Sequence, residues 1–160
     1  MKIEIIPAYN RTEDIRTLFT EYTDLLSEGD AEFRSYLKIQ HYDDEFEHPE
    51  CKYGTPGGRL YIALCDGNTA GCVALRRLDD SACEIKRLYV RDTYRGHGIG
   101  NILTDQLIRD ARQIGYRHIL LDTFPFLERA IHMYRVRGFR EIGKYNDSPM
   151  ASTIYMKLDL

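Results

Sequence analysis

Apolar residues change their spacing several times along this chain, and each change marks an element. Met1 to Ile6 reads as a strand that Pro7 ends. Asn10 and Glu13 stand at capping-box spacing. Ile15, Leu18, Phe19, Tyr22, Leu25 and Leu26 then fall at the three-and-four spacing of one helix face, which Gly29 ends. From Asp30 to Gly58 the pattern weakens. A short helix is expected over Ala31–Ile39, then an acidic stretch from Asp43 to Glu50, then the loop Gly54-Thr55-Pro56-Gly57-Gly58.

Three strands come next. Arg59–Cys65 runs into the turn Asp66-Gly67-Asn68, a hairpin signature, and Thr69–Leu78 returns. After Asp79-Asp80 the third strand covers Cys83–Arg91. Its apolar phase slips, with Cys83 and Ile85 on one parity and Leu88 and Val90 on the other. A period of two allows this only with an inserted residue, so a β-bulge is predicted near Lys86-Arg87.

The remainder alternates. A helix is expected over Gly98–Ile114, a buried strand over Arg117–Thr123, a helix over Phe126–Arg137, and strands over Phe139–Gly143 and Thr153–Leu158. A meander followed by strand–helix–strand predicts an α+β (mixed α/β) domain filling residues 1–160. The strands near Leu88 and Leu121 should be parallel neighbours.

Composition narrows the functional classes. With 22 Lys and Arg against 25 Asp and Glu, the net charge is −3, which argues against a nucleic-acid partner. At 43% apolar and 29% charged, the chain can bury a core. No apolar run approaches the ~18 residues of a membrane span, and the start is too short and too acidic for a signal peptide. A cytoplasmic location without a membrane partner is expected. Cys51, Cys65, Cys72 and Cys83 form no Cys-x-x-Cys pair, and the last three lie in strand-like runs, so buried thiols rather than a metal site are expected.

The chemistry concentrates in Arg95-Gly96-His97-Gly98-Ile99-Gly100, between a strand and an amphipathic helix. Glycines free the backbone to aim successive amides into one concavity at the positive end of the next helix, which suits a phosphate. Close strand–helix packing would account for such a turn equally well. The segment lacks the Gly-Lys-Ser/Thr of a Walker A loop and the third glycine of the dinucleotide fingerprint.

These residues resemble the Arg/Gln-x-x-Gly-x-Gly/Ala signature of the GNAT superfamily of acetyl-coenzyme A-dependent N-acetyltransferases. Glu84-Ile85-Lys86-Arg87-Leu88-Tyr89-Val90 is similar to their bulged fourth strand. Ala130-Ile131-His132-Met133-Tyr134 followed by Gly138-Phe139 is similar to their penultimate helix and its Tyr-x-x-x-Gly-Phe ending. The resemblance runs through nearly the whole chain and is poorest over residues 30–58. It implies a mixed, mostly antiparallel sheet flanked by helices and splayed between the fourth and fifth strands. It implies acetyl-CoA as cosubstrate, with its pyrophosphate on the amides of Gly96, His97, Gly98, Ile99, Gly100 and Asn101, Arg95 adding charge. The pantetheine arm would lie along Leu88, Tyr89 and Val90. The His97 side chain is assigned no chemistry. Leu127 departs from the family, many members of which place a cofactor-contacting Asn there.

The resemblance further implies acetyl transfer to a primary amine in a ternary complex, the acceptor being a small molecule or peptide, with a homodimer as one option. A non-catalytic acyl-CoA-binding module is the alternative. Tyr134 matches the family's general acid. A phenol of pKa ~10 can protonate a thiolate of pKa near 8.5 with help from its surroundings. Its other reading is a buried helix aromatic. Glu84, on the strand face opposite Cys83 and Ile85, could draw the amine proton through water, or be an exposed residue paired with Lys86. Asp122, ending a buried strand, could hold an acceptor ammonium or cap the loop after it. The acids at 43–50 could favour cationic amines, though a solvated face is the commoner explanation.

Overall fold

A strand that keeps one neighbour along its whole length and loses the other partway sets the architecture. In the computed structural model, which describes residues 1–160, that strand is β4 (Ala82–Val90). Before it lie β1 (Ile3–Pro7), α1 (Thr12–Gly29), α2 (Phe33–Ile39), α3 (Tyr42–Glu47), α4 (Pro49–Tyr53), β2 (Arg59–Cys65) and β3 (Asn68–Arg77). After it come α5 (Ile99–Ile114), β5 (His118–Thr123), α6 (Glu128–Val136), β6 (Arg140–Ile142) and β7 (Ile154–Asp159). The seven strands are ordered β1-β2-β3-β4-β5-β7-β6. All pairs are antiparallel except β4–β5.

The period of two sorts side chains onto two faces. Val73, Leu75, Cys83, Ile85, Ile119 and Leu121 pack under α5 with Leu103 and Leu107. Cys72, Ala74, Leu60 and Ile62 turn the other way, against Ile15, Leu18 and Phe19 of α1. Fully burying each such α1 side chain stabilises the fold by about 1.5–3 kcal/mol. A smaller cluster joins Leu26, Phe33, Tyr36 and Leu37 to Phe124 and Met150, fixing α2 over the end of β5.

Turn chemistry follows the sequence reading closely. Asp66 and Gly67 both adopt positive φ (49° and 82°), matching a two-residue hairpin turn. The bulge is also present. Ala74 faces Lys86 and Cys72 faces Tyr89, so Arg87 and Leu88 stand opposite Val73 alone, and Arg87 takes φ 60°. Three of the four cysteines, Cys65, Cys72 and Cys83, are buried, and Cys51 is exposed.

Two expectations are corrected. The Asn10–Glu13 capping box does not form. Ala8 N still bonds Leu60 O, and a turn from Ala8 to Arg11 delays the helix to Thr12, so Arg11 takes the cap position and ion-pairs with Asp14 at 2.7 Å. The acidic stretch is not wholly a solvated face. It folds into α3 and α4, and Glu45 turns fully inward while Asp43, Asp44, Glu47 and Glu50 stay outside.

Candidate active site

β4 and β5 pair only from Ala82–Glu84 against His118–Leu120. Beyond that, β4 continues to Val90 and β5 to Thr123, and the strands part around a cleft of about 720 Å³. On its β5 side, the main chain of β4 after Glu84 has no sheet partner. Buried main-chain groups require one.

At one end this track meets the glycine loop. Gly96 and Gly98 adopt φ 85° and 76°, and Gly98 begins α5 without any side-chain cap. A Cβ on either would meet nothing within 4 Å, so the backbone angle rather than lack of room selects glycine. The first amides of α5 have no partner inside the helix and point their dipoles toward the cleft. Arg95 is exposed and folds back, its Nε donating to Val90 O at 3.1 Å while its guanidinium pairs with Asp92 at 2.7 Å. His97 is exposed.

Tyr134 lines the cleft from α6 and is 5% exposed. Gly138, at φ 95°, turns the chain so that Phe139 packs on the Tyr134 ring with centroids 5.4 Å apart. Burial pushes the phenol's pKa up, with Tyr22 and Asp122 adding to it, so the hydroxyl keeps its proton. Leu127 stands at the start of α6 on the cleft wall.

The opposite end is built from charged side chains. Glu84 is 2% exposed, which overturns the surface-pair alternative. Its partners are the Tyr145 hydroxyl and Arg76 at 3.5 Å, and its Oε1 is buried without a hydrogen bond. It lies outside the cleft lining, behind Lys86, which shares its strand face. Asp122 does line the cleft. Burial pushes its carboxyl up, but Lys86, the Tyr36 hydroxyl and Asn146 outweigh this and hold it below the usual range. Asn146 Nδ2 donates to Asp122 Oδ2 at 2.8 Å, and Tyr36 donates to the same oxygen. Glu45 accepts both Nε (2.6 Å) and a terminal nitrogen (2.9 Å) of Arg87, with Lys52 at 2.9 Å.

The structure therefore brings Leu88, Tyr89, Val90, Arg95, Gly96, Gly98, Ile99, Gly100, Asn101, Asp122 and Tyr134 to one cleft and sets Glu84 behind it. Sequence reasoning missed Lys86, Tyr36, Asn146 and Glu45. No local motif marks them. The one available signal was a charged Lys-Arg pair at a bulge inside a buried strand.

The site is thus a splayed mixed sheet whose parting strand leads into a glycine loop at a helix start. The model of the acetyltransferase (GNAT) family matches residues 15–139. The chain belongs to the GNAT superfamily and is an acyltransferase. It is 35% identical to an N-acetyltransferase of Schizosaccharomyces pombe over 92% of this chain and 88% of that one. It is 30% identical to human N-acetylaspartate synthetase over 69% of this chain and 37% of the human one. Among solved structures, a GNAT acetyltransferase from Staphylococcus aureus superposes with a TM-score of 0.76 at 27% identity, covering 99% of each chain. PaiA N-acetyltransferase from Thermoplasma acidophilum, in complex with coenzyme A, superposes at 0.75 with 17% identity over the full length of both, a likeness of fold. No helix is long and apolar enough to cross a membrane.

Proposed function

We propose that the protein moves an acetyl group from acetyl-CoA directly to a primary amine. The observation that carries this reading is the continuous backbone track from the unpaired part of β4 into the positive-φ glycine loop. Such a track suits an amide-rich arm ending in a pyrophosphate: strand-like hydrogen bonds for the arm, helix-start amides for the phosphates. Leu88, Tyr89 and Val90 would hold the arm, and Gly96 to Asn101 the phosphates. Arg95 would reach a phosphate by releasing Asp92.

In the transfer, the neutral amine nitrogen attacks the thioester carbonyl carbon, the C–N bond forms and the C–S bond breaks. Tyr134 gives its proton to the leaving sulfur. The amine's proton passes through water toward Glu84, whose Oε1, ion-paired with Arg76 but without a hydrogen bond, is the acceptor. Asp122 would face the incoming amine.

The test is acetyl-CoA-dependent thiol release over a library of amines, run beside calorimetry of acetyl-CoA binding. Gly98→Glu combines a strained φ with a like charge among the phosphates and should weaken acetyl-CoA binding by about 100-fold, the scale of losing a hydrogen bond to a charged group. Unchanged affinity would place the cosubstrate elsewhere.

A further inference from the structure

Lys86 is unusual among the charged residues of the cleft. Its side chain is 5% exposed, yet the nearest carboxylate oxygen, Asp122 Oδ1, stands 3.7 Å from Nζ, beyond hydrogen-bond reach. The Tyr36 ring lies under the ammonium at 5.9 Å and supplies no acceptor. A lysine ammonium has three donors, and no hydrogen bond within the protein uses them; Nζ is not among the buried unpartnered atoms, so it opens on the cleft. The other charged groups nearby are already engaged. Arg87 is taken up by the bidentate Glu45 and by Gln40. Asp122 Oδ2 is taken up by Tyr36 and Asn146, which leaves Oδ1, 3.7 Å from Lys86, as the oxygen of that carboxylate without a hydrogen bond. Where β5 parts from β4, the cleft therefore presents one buried donor group and one acceptor oxygen side by side.

We infer that the acceptor is an amino acid, its carboxylate seated on Lys86 and its amine directed at Asp122 Oδ1. This rests on the acyl-transfer reading above and specifies its substrate class. A carboxylate satisfies the ammonium with charge-assisted hydrogen bonds. A polycation would place like charge beside Lys86, and an amine without a carboxylate would leave the ammonium unsatisfied. Tyr22, Leu25 and Phe33, which wall the cleft from α1 and α2, leave an apolar surface for the side chain of such an acceptor.

The experiment sets L-amino acids against their own carboxamides, with spermidine as a polycation, all with acetyl-CoA and thiol-release detection. At least one amino acid should exceed its amide in kcat/KM by about 10–100-fold, the range for a hydrogen bond to a charged group. Lys86→Met keeps the aliphatic stem and should erase that ratio through KM, while Lys86→Arg should restore part of it. Amides equal to their acids, spermidine as the best acceptor, or acetyl-CoA binding without turnover of any amino acid would overturn this inference while leaving acetyl-CoA use standing. Loss of acetyl-CoA binding and of all turnover in the wild type would overturn the acyl-transfer reading itself. The wild-type comparison decides the matter even if a Lys86 variant fails to fold.

Discussion

The two ends of the cleft are built from different materials. The α5 end is almost entirely backbone: the unpaired length of β4, two glycines at positive φ and the first amides of α5. Its residues are nearly contiguous, from Ile85 to Asn101. The α2 end is side chains: Lys86 and Arg87 from β4, Glu45 from α3, Tyr36 from α2, Asp122 from β5 and Asn146 from the segment before β7. One end can hold a constant group with almost any side chains around it. The other, on the reading proposed above, would recognise through charges that must be paired one by one, and there a single substitution would change what is bound.

The largest effect is expected where the two ends meet, at Tyr134. Phe in its place keeps the ring against Phe139 and removes the proton donor. A positioned general acid contributes about 10²–10⁴-fold, so kcat should fall in that range with acetyl-CoA affinity nearly intact. Glu84→Gln should act on the same step from the other side, lowering kcat/KM most below the acceptor's pKa, where the amine must lose its proton. Steady-state kinetics against pH measures both. Full activity in Tyr134→Phe would mean the thiolate leaves unaided; an unfolded variant would make the hydroxyl structural.

This contrast also explains what could be read from the chain beforehand. Phase slips and glycines are local, so the bulge at Arg87, the Gly98 helix start and the Gly138 turn were all legible. The parallel β4–β5 neighbours followed from element order. The Glu45–Arg87 pair spans a long stretch of chain and depends on α3, which weak periodicity hid. Asn146 and Tyr145 reach the site from a segment with no regular structure, where no pattern points inward. Asn10 misled because capping spacing ignores the strand-like bond from Ala8 to Leu60 that shifts the helix start.

A second test breaks the α2 end through its charge pairing. Burial pushes the Glu45 carboxyl up, but Arg87 and Lys52 more than offset this and hold it at about 2, against an ordinary 4.5. A folded-state value below the unfolded one stabilises the fold above about pH 4.5, and the contribution disappears as pH falls from there toward 2. It amounts to roughly 3 kcal/mol. Glu45→Gln leaves Arg87 buried without its counter-charge, so stability at pH 7 should drop by about 3–5 kcal/mol. Stability between pH 2 and 4.5 should lose part of its slope. Urea unfolding from pH 3 to 7 measures both, and hydrogen exchange should quicken over α3 and the β4 bulge before α5. An identical acid slope in the variant would assign the acid sensitivity to other carboxylates.

The smallest effect probes whether the α5 end has any need of side chains. Leu127 occupies the cap position just before α6, lines the cleft and makes no side-chain cap. Leu127→Asn adds a polar group there. If the cosubstrate is held by backbone, the most this offers is one neutral hydrogen bond, about 0.5–1.5 kcal/mol, or roughly 2–12-fold in acetyl-CoA affinity. Leu127 also packs beside the cluster containing Phe33 and Phe124, and that contact is lost. An Asn cap on α6 is worth ~1 kcal/mol and offsets the loss, so the melting temperature should stay within a few degrees. Calorimetry and thermal melts check the pair of expectations. A gain near 1,000-fold would show that the α5 end was waiting for a side chain after all, and the division between a backbone end and a side-chain end would fail.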